Sequence, residues 1–378
     1  MKPLVPLCLA VAMAAGACAS ASGTGAAAAT LGRFQLVNPL QVARVEIVAL
    51  PLSADALRAT RLEAFDATAG KRLPIQQRAA DDDAGRALVE IRMGAGERHE
   101  VVLRTAGDAV PPASRAFGRH VPERMDDFAW ENDRVAFRMY GPALAATGEI
   151  SSGIDVWAKR TQALVIDRWY AGEDYHTDHG EGLDFYKVGP SRGCGGLARR
   201  IDGVDHVSGN YVRWRRLANG PLRVVFELDY APWGAKGSEV AETKRISLDA
   251  GSDFSLIRSR FGGDAVGVPV PGINGDGEAS ADPQGRWMAL WGKPDPAHGS
   301  IGCAIVLAQG KGRADQRGGQ RWLVPADVPG REFAYYAGAA WSQGADVHDA
   351  QAWERAVAAF AQRIAAPIEV RVQENGRD

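Results

Sequence analysis

The segment 222–230 limits the fold more than any other. Leu222, Val224, Phe226, Leu228 and Tyr230 alternate with Arg223, Val225, Glu227 and Asp229. Period two puts the first set on one face of a strand and the charges on the other. The run 211–216 precedes it through Ala218-Asn219-Gly220-Pro221 and reads as its hairpin partner. For Val212 and Trp214 to share the apolar face with Phe226 and Leu228, the loop needs an odd number of residues. An even loop would turn Arg213 and Arg215 into the core. A five-residue loop sets Arg213 opposite Glu227 on a charged face, whose simplest reading is a solvated one and whose alternative is a concave sheet holding an anionic sugar.

Other segments follow the same rule. Residues 36–37, 42–50, 87–93 and 100–103 are short, rich in β-branched residues and bounded by Gly, Pro and Asp. Residues 244–248 and 254–261 flank Asp249-Ala250-Gly251-Ser252 as a second hairpin, and 287–291 and 301–307 read as further strands. One helix is expected over 349–364, where Trp353, Val357, Phe360 and Ile364 recur at helical spacing. Pro367 ends it, and 368–372 reads as a last strand. The expectation is a mainly β chain: an N-terminal β module over 31–112, closed by Pro111-Pro112, then a large antiparallel two-sheet supersandwich over 113–375 with one C-terminal helix.

The N-terminus indicates the compartment. Lys2, the apolar run 4–15 and the small residues Ala15-Gly16-Ala17-Cys18-Ala19 form a signal-peptide pattern over 1–18, followed by a low-complexity tether over 19–30. The apolar run is too short to span a bilayer. Cys18 is a candidate for lipid modification, although Ala15 stands where a lipobox favours Leu; a plain A-x-A cut is the alternative, and the balance leans to the lipoprotein. The expected location is the periplasm or cell surface, with a lipid on Cys18 as the sole membrane attachment. A net charge of −2 and no long basic run argue against a nucleic-acid partner. In an oxidising space Cys194 and Cys303 either pair or stay as two small buried thiols, and neither belongs to a C-x-x-C zinc pattern.

The segment 114–196 concentrates reactive side chains. It holds His120, His176 and His179 of seven histidines, and Tyr140, Tyr170, Tyr175 and Tyr186 of eight tyrosines. The stretch 174–187 is poor in aliphatic residues and rich in Gly, as expected of a surface loop, where catalytic groups tend to sit. It packs base, acid and charge partners into a short length. The turn 191–196 adds Arg192 but lacks the Gly-Lys-Ser/Thr ending of a phosphate loop.

Two runs carry a family resemblance: Pro122-Glu123-Arg124-Met125-Asp126-Asp127-Phe128-Ala129-Trp130-Glu131-Asn132, and Asp178-His179-Gly180-Glu181-Gly182-Leu183-Asp184-Phe185-Tyr186-Lys187-Val188-Gly189. They resemble an exported bacterial family labelled a domain of unknown function, whose members are encoded beside pectin- and ulvan-degrading enzymes. The resemblance extends from about Phe34 to the last strand. It implies a galactose-mutarotase-like supersandwich and the breakdown of uronate polysaccharide, including dehydration of uronate-terminated oligosaccharides. It carries over no catalytic residue, so roles are assigned from chemistry.

β-Elimination from a uronate needs its carboxylate neutralised by arginine or a divalent metal, a base for the C5 proton and an acid for the departing C4 oxygen. Arg124, Arg134, Arg138 and Arg192 are the candidate neutralisers, with Lys187 and Trp130 as further substrate contacts. His176 or His179 is the candidate base, and Tyr175 or Tyr186 the acid. Each arginine has a plain rival role in pairing with Glu123, Asp127 or Glu131, and Trp130, Trp157 and Trp169 read first as core. A divalent metal would draw on His176, His179, Asp178 and Glu181, which requires a loop or bulge. Two alternatives stand beside a lyase or dehydratase on acidic oligosaccharide. One is a glycoside hydrolase using Asp127 with Glu131 or Asp178 with Glu181; the other is a glycan-binding surface protein without chemistry.

Overall fold

The alternating run forms the strand Arg223–Trp233 in the computed structural model, which describes residues 29–77, 85–106, 112–172, 174–263, 267–327 and 330–373. The signal peptide with Cys8 and Cys18, most of the tether and Pro111 lie outside them. Val224, Phe226, Leu228 and Tyr230 are buried. Trp214 of the neighbouring strand Arg213–Asn219 lies opposite Leu228, the register an odd loop would give. The route differs from the expected one. Asn219 pairs with Val224 across an even tip, and a bulge at Leu217 restores the register. Arg213 therefore lies opposite Asp229, and it is Arg215 that faces Glu227.

These strands begin an eight-stranded antiparallel sheet that continues through Val240–Asp249, Phe254–Phe261, Glu332–Trp341, Ile301–Leu307, Trp287–Gly292 and Gly277–Ala281. Two five-stranded sheets face it. One runs in the order Gly182–Leu183, Asp155–Lys159, Ala136–Met139, Asp127–Asn132, Ala116–Val121; the other is built around Cys194–Ile201 and Val268–Asn274. A parallel bridge between Ile154 and Gly193 joins the two into one layer. Phe128, Trp130, Phe137, Phe226, Ile246, Ile305 and Tyr335 belong to the single core between the layers. Cys194 and Cys303 form a disulfide across it, closing a sequence separation of 109 residues, a constraint worth roughly 2–4 kcal/mol.

The C-terminal helix Ala350–Ala365 starts at Asp349, whose side chain accepts from the Ala352 amide. Trp353, Val357 and Phe360 cover Phe254, Trp287 and Trp291 on the outer face of the eight-stranded sheet. The N-terminal module packs two small sheets around Phe34, Leu50, Ile91 and Leu103. Its make-up amends the expected boundary, because the last strand Glu369–Gln373 pairs with Thr30–Val37 and belongs to this module. Gln76 docks the module on the sandwich, accepting from the amides of Leu222 (2.8 Å) and Arg223 (2.7 Å). No helix among the described residues is long and apolar enough to cross a membrane.

Candidate active site

Alternation in the first five-stranded sheet sends Phe128, Trp130, Phe137, Met139 and Val156 inward to the core. The opposite face then carries Asp127 and Glu131, Arg138, and Asp155, Trp157 and Lys159 from three adjacent strands. Arg138 lies directly across from Asp155, and their side chains form an ion pair. Its guanidinium also reaches Asp184 at 2.9 Å and stands 3.7 Å from Asp127. Trp157 forms a floor, stacked on Trp169 and Tyr175, and the helix Ile166–Ala171 with the following loop closes over it.

The charges are imperfectly matched. Arg138 Nε and Asp127 Oδ2 are too far apart to hydrogen-bond, and neither has another partner. Loss of water pushes the Asp127 carboxyl up to about 6, against the pull of Arg138. Burial raises Asp155 and Asp184 as well, and at Asp155 the neighbouring Asp184 charge adds to it. Although burial opposes it, Asp155 and Asp184 make Arg138 hold its proton more tightly than usual. Burial lifts the phenols of Tyr140 and Tyr170 above their ordinary range, which keeps both protonated.

Two loops bring in the remaining groups. In the first, Arg124 precedes Met125 and Asp126, which hold φ of 55° and 61°. Consecutive left-handed non-glycine residues are costly and need external support. Here the Tyr211 hydroxyl donates to the Asp126 carbonyl, and Gly141 lies so close that a Cβ would sit 1.8 Å from that oxygen. The turn aims Arg124 Nε at the Tyr175 hydroxyl, 2.7 Å away, which also accepts from Arg138 at 3.3 Å. In the second loop, His176 Nδ1 lies 2.8 Å from the Asp184 carbonyl. A carbonyl only accepts, so Nδ1 carries the hydrogen and the neutral ring keeps its lone pair on Nε2.

These groups surround a cavity of about 610 Å³, within the range of small-ligand sites, whose charged and phenolic lining is Arg124, Arg138, Tyr140, Glu149, His176, Asp184, Tyr186 and Lys187. Of the residues expected from sequence, Arg124, Arg138, His176, Tyr186 and Lys187 converge here, while Tyr175 stands behind the two arginines. The others do not. Arg192 is fully buried and donates to Ser152 Oγ and the carbonyls of Leu197 and Pro190, so it braces its own turn; burial lowers its guanidinium to about 10. Arg134 pairs with Asp253 and Asp346 beside a separate small hollow. Trp130 lies in the core with Nε1 on Ser255, out of reach of a sugar.

The proposed metal ligands are likewise dispersed. His179 Nε2 lies 3.3 Å from the Asp174 carbonyl, Asp178 caps two amides and pairs with Arg160, and Glu181 pairs with Arg168. No group of three or more His, Cys, Asp or Glu among the described residues could hold a metal ion. The hydrolase pair Asp127 and Glu131 sits four residues apart along one strand, about 13 Å, with both carboxyls buried. Sequence reading passed over Asp155 and Tyr140 as site groups. The pattern Asp155-Val156-Trp157-Ala158-Lys159 alternates like a strand, and its polar face was the available signal.

Residues 36–370 match a family model described as "Domain of unknown function (DUF4861)". Uncharacterized protein P7 of Formosa agariphila is 34% identical over 303 residues, covering 75% of this chain and 76% of that protein. Among solved structures, a protein in the Glycosyl Hydrolase Family 38 from Enterococcus faecalis superposes with a TM-score of 0.51 at 9% identity, over 91% of this chain and 47% of its own. An alpha-mannosidase from Enterococcus faecalis V583 gives 0.50 at 9% identity, over 90% and 46%. The chain thus spans about half the length of these two proteins, and identity this low speaks for a shared sandwich fold alone. The family match and the relative together establish that the chain belongs to the DUF4861 family.

Proposed function

We propose that this chain is an exported carbohydrate-active enzyme that β-eliminates the C4 substituent of a uronate in acidic oligosaccharides. One observation carries the reading: a histidine whose Nε2 is left basic shares a cavity with three cations, Arg124, Arg138 and Lys187. Arg124 and Lys187 pair with the uronate carboxylate and so acidify the C5 proton. His176 Nε2 takes that proton, the electron pair forms the C4–C5 double bond, and the C4–O bond breaks. Tyr140 or Tyr186, each kept protonated by burial, donates to the departing oxygen. Tyr175 positions the two arginines. If hydroxide departs, the enzyme is a dehydratase; if a sugar departs, it is a lyase. In this reading the pattern over 1–18 sends the protein to the periplasm or cell surface, with Cys18 as its lipid anchor.

A hydrolase is the second reading, favoured by the carboxyls of Asp184 and Glu149 in the same cavity. It is weaker because Asp184 is already engaged by Arg138. Mass spectrometry of uronate-terminated oligosaccharides from pectin and ulvan separates the two. Elimination of hydroxide gives a product lighter by one water with new ultraviolet absorbance, and His176→Ala abolishes it. Cleavage with one water added, retained in that variant, would replace the elimination reading with hydrolysis. Binding without any product would leave a glycan-binding protein.

A further inference from the structure

The core between the layers holds a charged cluster that the cavity chemistry does not use. On the inner face of the eight-stranded sheet, register sets Tyr230, Glu242 and Phe261 side by side, and the next row carries Leu228, Lys244 and Ser259. Arg199 meets them from the facing strand Cys194–Ile201, with its Cζ 5.6 Å from the centre of the Phe261 ring. Trp233 packs against the same ring. Gly234 beside it stands close to the guanidinium, since a Cβ there would lie 3.9 Å from Arg199 Nη1. Arg199, Glu242, Lys244 and Ser259 are each at most 2% exposed.

This cluster is incomplete in hydrogen bonds and in charge. Both Nη atoms of Arg199, Trp233 Nε1 and Ser259 Oγ are buried without a hydrogen-bond partner. Lys244 Nζ touches Glu242 Oε1 at 2.5 Å, out of line for a hydrogen bond. Buried polar atoms are nearly always bonded, and a buried charge without a bonded partner is costlier still. Among the described residues, Glu242 is the carboxylate whose charge acts on Arg192, Arg199 and Lys244 alike, so one acid serves three cations. Lys244 is in contact with it, and Arg192 is held by the carbonyls of Leu197 and Pro190. Arg199 is left as a fork of donors with no acceptor. Water can satisfy single atoms there but leaves the excess charge in place, whereas an anion offsets it. Burial on this scale favours a small, singly charged ion, which sheds less hydration than sulfate or a sugar acid.

We propose that Arg199 holds a halide ion, chloride under ordinary conditions, inside the sandwich core, with Trp233 Nε1 and Ser259 Oγ as further donors. The ion ties the strand Cys194–Ile201 to the eight-stranded sheet and stabilises the fold whatever reaction the cavity performs.

Crystals of the full chain grown with sodium bromide in place of chloride test this on the parent protein. An anomalous peak within hydrogen-bond distance of the Arg199 guanidinium is expected; no peak there, or water alone, would overturn the proposal. Thermal unfolding gives a second readout, with ionic strength held constant by sodium gluconate. The midpoint should rise by about 3 °C or more between about 1 and about 100 mM chloride, linearly in the logarithm of concentration once the site fills. Bromide should act alike, and gluconate should not. Arg199→Met keeps the bulk without the fork and should lose this response. Should that variant fail to fold, Trp233→Phe removes the Nε1 donor alone and should weaken halide binding about tenfold. Equal stabilisation by gluconate, or a halide response unchanged in the variants, would equally rule the site out.

Discussion

Two ionic clusters share one face of one sheet and are completed to different degrees. Glu131 and Lys159 are sealed from solvent and paired at 2.8 Å. Glu131 also accepts from the amides of Val165 and Ile166, each at 2.8 Å, and Lys159 from its side donates to the Asn132 carbonyl. This pair latches the start of the helix Ile166–Ala171, which carries Trp169 and Tyr170 over the floor. The cluster around Arg138 has three carboxylates on one guanidinium, an unmatched Arg138–Asp127 edge and a cavity against it. Buried polar groups are normally satisfied, so a complete cluster reads as architecture and an incomplete one beside a cavity as chemistry.

Removing one partner should separate them. Glu131→Ala leaves Lys159 charged and unpaired and frees two amides, for an expected loss of about 3–5 kcal/mol in urea unfolding. Arg138→Lys keeps the charge but loses the fork whose Nη2 meets Asp155 and Asp184 while Nη1 donates to the Tyr175 hydroxyl. Activity on the uronate oligosaccharide should fall about 10²–10³-fold, equivalent to about 3–4 kcal/mol in the barrier, with a smaller stability loss than in Glu131→Ala. An Arg138→Lys protein as unstable as Glu131→Ala but fully active in its folded fraction would break the distinction.

A pH series sharpens it. The native Asp127 carboxyl titrates near 6, against about 4 in the unfolded chain, so between these values the native state holds a proton that the unfolded state has released. Stability therefore declines as pH rises from 4 to 6, by on the order of 2–3 kcal/mol from this group. Asp127→Asn should flatten that decline, whereas Glu131→Ala should leave it in place beneath a lower overall stability. Urea melts at pH 4, 5 and 6 check both; an unaltered slope in Asp127→Asn would mean the carboxylate is better solvated than its burial implies.

Periodicity made the local elements legible. The strand Arg223–Trp233, the hairpin of Val240–Asp249 with Phe254–Phe261, and the helix Ala350–Ala365 each follow from spacing within their own residues. Applied to Asp127–Asn132, the same rule would have sent Trp130 inward beside Phe128, leaving Asp127 and Glu131 together on the other face. Long-range convergence was the obscure part. Arg138 and Asp184 are 46 residues apart, and Asp155 becomes a site group only because a later helix and loop close over its face. Arg192 looked available in a glycine-rich turn, but Gly196 approaches its carbonyl so closely that the turn folds inward and buries the side chain.

The smallest predicted effect bears on a pair that sequence alone could not divide. His176 and His179 lie three residues apart in one polar loop, yet the loop turns between them. Asp174 accepts from the His176 amide and the Thr177 hydroxyl, and Asp178 accepts from the amides of Gly180 and Gly182. His176 is thereby turned to the cavity, while His179 lies exposed against the Asp174 carbonyl at a long 3.3 Å. His179→Ala should change stability by less than about 0.5 kcal/mol, as exposed substitutions usually do, and leave turnover within about twofold of the parent. His176→Ala should remove turnover with equally little effect on unfolding. Equal losses of activity in the two variants would mean that the loop rearranges when substrate binds and that its resting geometry does not assign the base.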